Sequence, residues 1–230
     1  MKTVILCGGK GTRMDKLTES IPKPLALVGE KPVLWHIMKI YSHFGFNEFV
    51  LCLGHKGEKI IEYFKENSQK EFKIEFVQTG EDSSKSERLL KVKNFVDDSF
   101  FVAYGDDLAD INVKELLSFH KKSKTITTVT AVRVQSQFGV MELGKTGIVK
   151  SFEEKPILDY WTNGGFMVFE KKIFDYLKLG ELEKEVFEKL VKEKQLSAFM
   201  HKGKWRTMNT LKDNLELNDL WKKKQAFWKV

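Results

Sequence analysis

A single α/β domain is the fold class that the sequence predicts, with a mostly parallel sheet flanked by helices and an elaborated C-terminal half. Three observations support this prediction. Apolar segments alternate with helical patterns, the first three strand patterns are each followed by glycine, and the later segments are shorter and richer in turns. The 230 residues are enough for one such domain, and no linker, low-complexity tract or internal repeat divides them.

The first half of the chain predicts the order strand, helix, strand, helix, strand. The strand patterns lie at residues 3–9, 47–57 and 72–80. Between them, apolar residues recur at helical spacing through residues 29–46 and 58–67, and Gly45 stands where the first helix ends. Because strands that alternate with helices form parallel sheets, this half predicts the parallel part of the sheet.

The remaining segments complete the predicted order. Residues 99–107 predict a buried strand that ends in two aspartates, and residues 110–123 a helix with an acidic start and a basic end. A central strand rich in β-branched residues is expected at residues 125–134. The later predictions are a hairpin at 139–156, a strand entering a helix at 164–177, an amphipathic helix at 182–195, a strand at 196–208 and a final helix at 210–228.

Composition and charge limit the classes of protein to consider. Apolar residues make up 42% and charged residues 31%, as in soluble globular proteins. The net charge of +7 suits an anionic ligand, but the charges are interleaved without the spacing of nucleic-acid-binding motifs, so no nucleic-acid partner is expected. Cys7 and Cys52 lie in apolar runs and predict buried, reduced thiols. No run suits a membrane span or a signal peptide, which predicts a cytoplasmic protein without a membrane partner.

The stretch from Val4 to Arg13, VILCGGKGTR, is an apolar strand pattern that stops at three glycines. It does not match the dinucleotide fingerprint, because Met14 occupies the third glycine position and two prolines soon after prevent an early helix. It also lacks the Gly-Lys-Ser/Thr of a P-loop. The amides of residues 8–12, with Arg13 and Lys23, suit an anion. From the pattern alone, a phosphate-binding loop and a solvated basic loop stay equally open.

Polar segments follow three of the predicted strands. These are the glycine loop, GHKG at residues 54–57 and YGDD at residues 104–107. Ligands of open α/β sheets bind outside the carboxyl ends of the strands. We therefore expect the three segments to meet at one edge of the sheet.

A series of motifs carries a resemblance to a known family. In chain order they are GGKGTR, IPKPL, KPVLWHIMKIYSHFG, YGDDLADINVKELLSFHK, TVTAV, FEEKP, NGGF, HKGKW, NTLKDNLELNDLW and FWKV. Together they resemble the sugar-1-phosphate nucleotidyltransferases, and among these most closely the glucose-1-phosphate cytidylyltransferases. Each motif alone is weak, but the ordered set covers nearly the whole chain.

The resemblance implies a Rossmann-like nucleotidyltransferase fold, with residues 1–135 as the nucleotide-binding half and residues 136–230 as the sugar-phosphate-binding half. It implies an enzyme that joins CTP and a sugar 1-phosphate, most simply glucose 1-phosphate, by in-line attack on the α-phosphate, giving a CDP-sugar for polysaccharide biosynthesis and pyrophosphate. The implied cofactor is Mg²⁺, and the implied assembly is a homo-oligomer. Such catalysis depends on positioning and charge neutralisation.

The resemblance also implies roles for individual residues. The implied catalytic residues are Arg13, Lys23 and Lys155. The implied nucleotide contacts are Leu6, Gly8, Gly9, Gly11, Thr12, Arg13, Arg88 and Asp106. The implied sugar-phosphate contacts are Lys155, Asn163 and Gly164, and the implied metal ligands are Asp106 and Asn209. Without the resemblance, Lys155 and Asn163 would be taken as turn residues, Thr12 as a turn cap and Arg88 as part of a solvated helix.

The chain departs from the family pattern at three places. Asn209 stands where the family has an aspartate that shares the metal, so one charge is lost there. Asp107 stands where the family has glycine; its carboxylate either restores that charge as a further ligand or faces away. The segment before residue 72 is also shorter than in the cytidylyltransferases. Two alternatives stay open: the same chemistry with dTTP, UTP or another phosphorylated acceptor, and a weakly active or inactive nucleotide-binding protein.

Overall fold

The structure is a computed structural model that describes residues 1–11, 14, 20–67 and 70–230. Its strands are β1 (Thr3–Leu6), β2 (Leu27–Val28), β3 (Lys31–Pro32), β4 (Glu48–Leu53), β5 (Lys73–Gln78), β6 (Ser99–Tyr104), β7 (Asp107–Ala109), β8 (Thr127–Gln135), β9 (Val140–Leu143), β10 (Val149–Glu153), β11 (Ile157–Glu170), β12 (Leu196–Met200) and β13 (Trp205–Thr207). Its helices are α1 (Val33–His43), α2 (Gly57–Glu66), α3 (Lys85–Lys91), α4 (Val113–Ser123), α5 (Phe187–Lys192) and α6 (Leu211–Lys222).

The central sheet has seven strands in the order β12-β8-β11-β6-β1-β4-β5. Strand β1 pairs in parallel with β4 and β6, and β4 pairs in parallel with β5. Strand β11 runs antiparallel between β6 and β8, and β12 is parallel to β8. The sheet is therefore mixed and mostly parallel, which confirms the predicted fold class.

Helices cover both faces of this sheet with apolar side chains. Side chains of α1, α2, α4 and α6 pack in one core cluster, and those of α3 and α5 in the other. In α1, for example, Leu34, Ile37 and Tyr41 recur at helical spacing and are fully buried. The neighbouring strands β1, β4 and β6 are buried on both faces, which is why they occur as continuous apolar runs in the sequence.

Three predicted elements differ in the structure. Strand β11 begins at Ile157, seven residues before the predicted start at 164, and leads into 3-10 turns rather than an α-helix. The predicted helix at 182–195 opens with a π-helical turn, Leu182–Val186, before α5. The predicted late strand at 196–208 is two strands, of which β12 pairs with β8 and β13 pairs with β7.

The carboxyl ends of β1, β4 and β6 lie side by side. The register pairs Leu6 with Cys52 on one side and with Tyr104 on the other. The glycine loop, GHKG and YGDD therefore leave the same edge of the sheet, as predicted. In the described part of the chain, no helix combines the length and the apolar character that a membrane crossing requires.

Candidate active site

A cleft of about 610 Å³ opens at this edge of the sheet. Most residues that line it come from the three strand ends, from the start of α3, and from the segments around β11 and β13. They are Leu6, Cys7, Gly8, Gly9, Gly11, Lys23, Pro24, Ser83, Ser84, Lys85, Arg88, Tyr104, Gly105, Asp106, Asp107, Asn163, Glu181, Trp205, Thr207 and Asn209. The cleft is thus polar and carries both signs of charge.

The glycine loop after β1 forms one wall of the cleft. Gly11 has φ of +64°, a conformation that favours glycine. A Cβ on Gly9 would meet no atom of the described residues within 4 Å. A Cβ on Gly8 would lie 2.1 Å from Nη1 of Arg88, so a side chain is excluded there by the protein itself. The predicted contacts Thr12 and Arg13 lie outside the described residues.

Arg88 lies buried in α3 behind the glycine loop. Its Nη2 donates to the carbonyl oxygens of Gly8 at 3.0 Å and Glu81 at 3.0 Å. Its Nη1 donates to Thr79 Oγ1 at 2.8 Å and to the carbonyl oxygen of Gly80 at 2.7 Å. The alternative of a solvated helix residue is therefore wrong, because the guanidinium joins the loops after β1 and β5. Its role as a nucleotide contact stays a prediction.

Lys23 lies between Pro22 and Pro24 at the start of a 3-10 turn, Lys23–Leu25, and the two prolines fix the backbone there. Its ammonium group forms an ion pair with Asp106 Oδ2 and donates to Asn209 Oδ1 at 3.0 Å. Pairing of β7 with β13 explains this proximity, since Met208 N donates to the carbonyl oxygen of Asp106 at 2.9 Å. Lys23, Asp106 and Asn209, of which the first and last lie 186 positions apart, are thus joined by the ammonium group of Lys23.

Asp107 points inward at the start of β7. Its carboxyl group bonds to Thr207, and its Oδ2 lies 2.0 Å from the place that a Cβ on Gly165 would occupy. Burial, followed by the charge of Asp106, raises the pKa of Asp107 well above its usual range. A second negative charge beside Asp106 is therefore disfavoured.

The opposite wall of the cleft holds Asn163. Its amide nitrogen donates to Tyr104 Oη at 3.2 Å, and its amide oxygen accepts from Gly165 N at 3.0 Å. Tyr104 in turn donates to Glu183 Oε1 at 2.5 Å, and Glu183 forms an ion pair with Lys85. Both ends of the Asn163 amide are thus held in place.

Gly164 contributes its backbone to the same wall. Its carbonyl oxygen accepts from Trp205 Nε1 at 2.9 Å. A Cβ on Gly164 would lie 2.6 Å from Cγ1 of Val132, so β11 approaches β8 closely here. A side chain at position 164 is therefore excluded by Val132.

Lys155 is not among the residues that line the cleft. It occupies the turn between β10 and β11 with φ of +50°, and its side chain is 51% exposed. Its Nζ lies 3.9 Å from Glu154 Oε1. The structure therefore does not bring this predicted catalytic residue to the other site residues.

Several cleft residues have no counterpart in the sequence predictions: Lys85, Tyr104, Glu181, Trp205 and Thr207. One signal for Lys85 was present. Ser84 and Glu87 form a capping box, in which Ser84 Oγ accepts from Glu87 N and Glu87 accepts from Ser84 N. A serine three residues before a glutamate predicts a helix start at Lys85. The other residues are brought in by pairings distant in sequence, which no local pattern reveals.

The oxygen atoms that bond to Lys23 are the candidate ligands of a metal ion. Among the described residues, no three His, Cys, Asp or Glu side chains cluster in a way that would hold a metal ion. Asp106 and Asn209 offer one carboxylate and one amide oxygen, which are hard ligands that suit Mg²⁺. Because an ammonium group already bridges these two oxygens, their arrangement fits a cation.

Comparison with known proteins decides the family. The model of the nucleotidyl transferase family matches residues 2–224. The chain belongs to the nucleotidyl transferase family. Two relatives in this family extend over the whole chain. A protein of Bacillus subtilis described as "probable glucose-1-phosphate cytidylyltransferase" is 44% identical, with all of both chains covered. The glucose-1-phosphate cytidylyltransferase of Salmonella typhimurium is 37% identical, with 100% of this chain and 99% of that protein covered.

Two solved structures share the fold. HddC of Yersinia pseudotuberculosis, complexed with GMP-PN, has a TM-score of 0.75 at 21% identity, over 96% of this chain and 99% of that chain. UDP-glucose pyrophosphorylase, complexed with UDP-glucose, has a TM-score of 0.74 at 20% identity, over 97% and 98%. The family model and the two relatives therefore confirm the predicted family resemblance, and the solved structures confirm the fold.

Proposed function

We propose that the protein is a glucose-1-phosphate cytidylyltransferase, which joins CTP and glucose 1-phosphate to give CDP-glucose and pyrophosphate. The observation that carries this proposal is the match to two proteins so described, over the full chain, at 44% and 37% identity. The cleft supports it, because the glycine loop, the Lys23–Asp106 pair and Asn163 line one cavity. A cavity of this size is in the range that holds small-molecule ligands.

In the proposed reaction, a phosphate oxygen of the sugar 1-phosphate attacks the α-phosphorus of CTP. A new P–O bond forms there as the bond to the bridging oxygen of the β-phosphate breaks, and that oxygen leaves with its electron pair as pyrophosphate. Both reactants are polyanions, so the residues act by positioning and charge neutralisation. We assign the triphosphate to the glycine-loop amides and Arg13, and the reacting phosphates to Lys23.

On the acceptor side, we assign the sugar hydroxyls to Asn163 and the backbone of Gly164. Their geometry is fixed by Tyr104 and Trp205 before any ligand binds. Lys155 is assigned to the sugar phosphate. Because its turn lies outside the cleft lining, this assignment requires the turn to move when the acceptor binds.

Mg²⁺ is the proposed cofactor, with Asp106 and Asn209 as the protein ligands. When bound, it would supply positive charge to the triphosphate. In the structure the ammonium group of Lys23 bonds to these same two oxygens. If a metal ion held them instead, the ammonium group would be free to turn toward the reacting phosphates. Asp107 is not assigned as a ligand, because its carboxyl group is buried against Thr207 and its neutral form is favoured.

The buried thiols suit a reducing compartment, and we propose a cytoplasmic homo-oligomer with small-molecule partners only.

The test is pyrophosphate release with CTP, dTTP and UTP, each paired with glucose 1-phosphate and with a panel of other sugar 1-phosphates. We expect release with CTP, glucose 1-phosphate and Mg²⁺ together, and none when any one is omitted. Equal rates with the three nucleotides would contradict the CTP assignment. Absence of turnover with measurable CTP binding would instead support an inactive nucleotide-binding protein.

Lys23→Ala should lower the turnover number by at least 100-fold, because it removes the cation at the reacting phosphates. Lys39→Ala is the matched control, since Lys39 also pairs with a carboxylate, Glu71, at 2.9 Å but on α1 outside the cleft. Turnover and the thermal midpoint should be measured for both. A folded Lys23→Ala protein with the turnover of the control would contradict the role of Lys23.

A further inference from the structure

Lys85 is a cation in the cleft to which the proposed reaction gives no role. It is one of three cations among the described residues that line the cleft. The ammonium group of Lys23 is held by Asp106 and Asn209. Arg88 donates to backbone carbonyl oxygens behind the glycine loop. Lys85 is instead the first residue of α3, and its side chain is 44% exposed, so its ammonium group can meet a ligand in the cleft.

Two side chains hold the ammonium group of Lys85 in one position. It forms an ion pair with Glu183 Oε1, and it lies 4.3 Å from the centroid of the Tyr104 ring. Burial raises the pKa of Glu183, but the hydrogen bonds from Lys85 and Tyr104 outweigh burial, so the pKa is lowered and the carboxylate stays charged. The lysine is thus anchored by an ion pair and by a cation–π contact.

The charged carboxylate also sets the direction of the hydrogen bonds that lead to Asn163. Because a carboxylate only accepts, the Tyr104 hydroxyl donates to Glu183 and accepts from Asn163 Nδ2 at 3.2 Å. Gly165 N, which only donates, bonds to Asn163 Oδ1 at 3.0 Å and fixes the same orientation of the amide. This oxygen has a second lone pair, and an ammonium group has three N–H donors. The wall around Tyr104 therefore offers a ligand both an acceptor, on Asn163, and a charged donor, on Lys85.

Given the proposed function, we propose that Lys85 determines specificity for the sugar, because its ammonium group donates a hydrogen bond to a hydroxyl oxygen of the acceptor next to Asn163. A hydroxyl group both donates and accepts, so neighbouring sugar hydroxyls match this pair of residues. Charge favours a hydroxyl over the sugar phosphate as the partner of Lys85. Glu181 also lines the cleft, and together with Glu183 it places two carboxylates on the segment that pairs with one ammonium group.

The first test compares the affinities for CDP-glucose and for CDP, which measures the contribution of the sugar without turnover. In isothermal titration calorimetry, Lys85→Met should bind CDP-glucose about tenfold more weakly than the wild type and CDP equally well, because it loses a charged hydrogen bond to the sugar. Lys189→Met is the matched control. Lys189 pairs with Glu193 at 2.9 Å, and Glu193 also accepts from a tyrosine hydroxyl, but Lys189 lies on α5 outside the cleft. The control should bind both ligands as the wild type does.

CDP binding separates a failure of this proposal from a failure of the proposed function. If the wild type binds both ligands and Lys85→Met binds CDP-glucose as tightly as the control does, the role of Lys85 is overturned and the proposed function stands. If the wild type binds neither ligand, both are overturned. Thermal midpoints of the two variants show whether either substitution unfolds the protein.

The second test identifies the atom that Lys85 contacts, through kinetics with monodeoxy analogues of glucose 1-phosphate. For the analogue that lacks the contacted hydroxyl, the wild type should have a kcat/KM about tenfold or more below that for glucose 1-phosphate. Lys85→Met should turn over this analogue and glucose 1-phosphate equally, since the hydrogen bond is already lost. A variant that loses the same factor with every analogue would show that Lys85 contacts the phosphate, and would overturn the assignment to a hydroxyl.

Glu183 is not among the described residues that line the cleft, so we assign it as a positioning residue. Glu183→Gln keeps an acceptor for Tyr104 but removes the charge that holds Lys85. It should weaken CDP-glucose binding less than Lys85→Met does, and the variant with both substitutions should bind CDP-glucose like Lys85→Met alone. Losses that add in the double variant would overturn this positioning role.

Discussion

Gly8 and Gly9 are adjacent but are constrained by different neighbours. Gly9→Ala should leave the free energy of unfolding within about 0.5 kcal/mol of the wild type, because its Cβ would meet no atom of the described residues within 4 Å. If the nucleotide lies against this loop, the same methyl group should raise the KM for CTP at least tenfold. Urea unfolding and initial-rate kinetics measure the two effects.

Gly8→Ala is the matched comparison. Its Cβ would lie 2.1 Å from Nη1 of Arg88 and 2.8 Å from the backbone nitrogen of Gly54, so we expect a loss of about 1–3 kcal/mol of stability. If Gly9→Ala left the KM unchanged in a stable protein, the nucleotide would not approach the loop as proposed.

Asn209 should control the metal dependence of the proposed reaction. Asn209→Asp should lower the Mg²⁺ concentration for half-maximal turnover several-fold, because Mg²⁺ prefers charged oxygen ligands. Asp106→Asn should abolish turnover. Asn112→Asp, at the N-cap of α4 outside the cleft, is the control for an added charge. An unchanged Mg²⁺ requirement in Asn209→Asp would remove this residue from the metal site.

At the residue scale, the motifs predicted which residues meet in the cleft but not which of these residues bond to one another. Lys23, Asp106 and Asn209 were each predicted, yet the ion pair that joins Lys23 to Asp106 depends on the pairing of β7 with β13. The sequence could not place Lys155 outside the cleft, because its position follows from a left-handed turn at a residue that is not glycine.

At the scale of elements, α6 positions Asn209. Thr210 caps the helix, since its Oγ1 accepts from Asp213 N at 3.2 Å while Asp213 Oδ2 accepts from Thr210 N at 2.7 Å and Asn209 N at 2.9 Å. This capping box fixes the backbone of Asn209 through the first turn of the helix.

Thr210→Ala should therefore lower the free energy of unfolding by about 1 kcal/mol, because the helix loses its N-cap. Thr210→Ser keeps the hydroxyl group and should recover most of that loss. Chemical denaturation measures both. Equal stability of the alanine and serine variants would show that the cap hydroxyl contributes nothing measurable.

Helices and strands were predicted correctly where apolar residues recur at a regular spacing, as in α1 and β4. They were predicted wrongly where tertiary contacts override that spacing. The first half of β11, ILDYWTN, is mostly exposed, and Gly164 and Gly165 interrupt the strand pattern after it, so the strand was predicted only from Gly164 onward. The helix predicted at 182–195 opens as a π turn, in which Val186 N donates to Glu181 O at 3.2 Å. Glu185 also accepts from Glu181 N at 2.8 Å, a local contact that periodicity does not reveal.

At the scale of the whole molecule, the buried thiols couple stability to alkaline pH. Burial raises the pKa of Cys7 to about 12 and the pKa of Cys52 well above 9.0. Below pH 9 the thiols are protonated in both the folded and the unfolded protein, so they do not change the free energy of unfolding. Above it the unfolded thiols lose protons that the folded protein retains, so the free energy of unfolding falls as pH rises from 9 toward 12, by up to about 1.4 kcal/mol per pH unit for each thiol.

Replacing both cysteines with alanine should reduce this slope, whatever the change in stability at pH 7. Val50→Ala, at a fully buried position on β4, lowers stability without removing a titrating group and is the control. Denaturant unfolding at several pH values between 8 and 11 gives the slopes. Identical slopes in the double variant and in the control would contradict the linkage.

Arg88 connects the ends of β1, β4 and β5, because its one guanidinium donates to the carbonyl oxygens of Gly8, Leu53 and Gly80. A Cβ at Gly54 would also lie 2.6 Å from its Nη1. This geometry constrains how the sequence can diverge. Backbone atoms exclude a side chain at the same two positions, since a Cβ on Gly8 would lie 2.8 Å from Gly54 N and a Cβ on Gly54 would lie 2.4 Å from the carbonyl oxygen of Gly8. A related chain that loses the arginine should therefore still keep glycine at positions 8 and 54, because the two loop backbones remain in close contact.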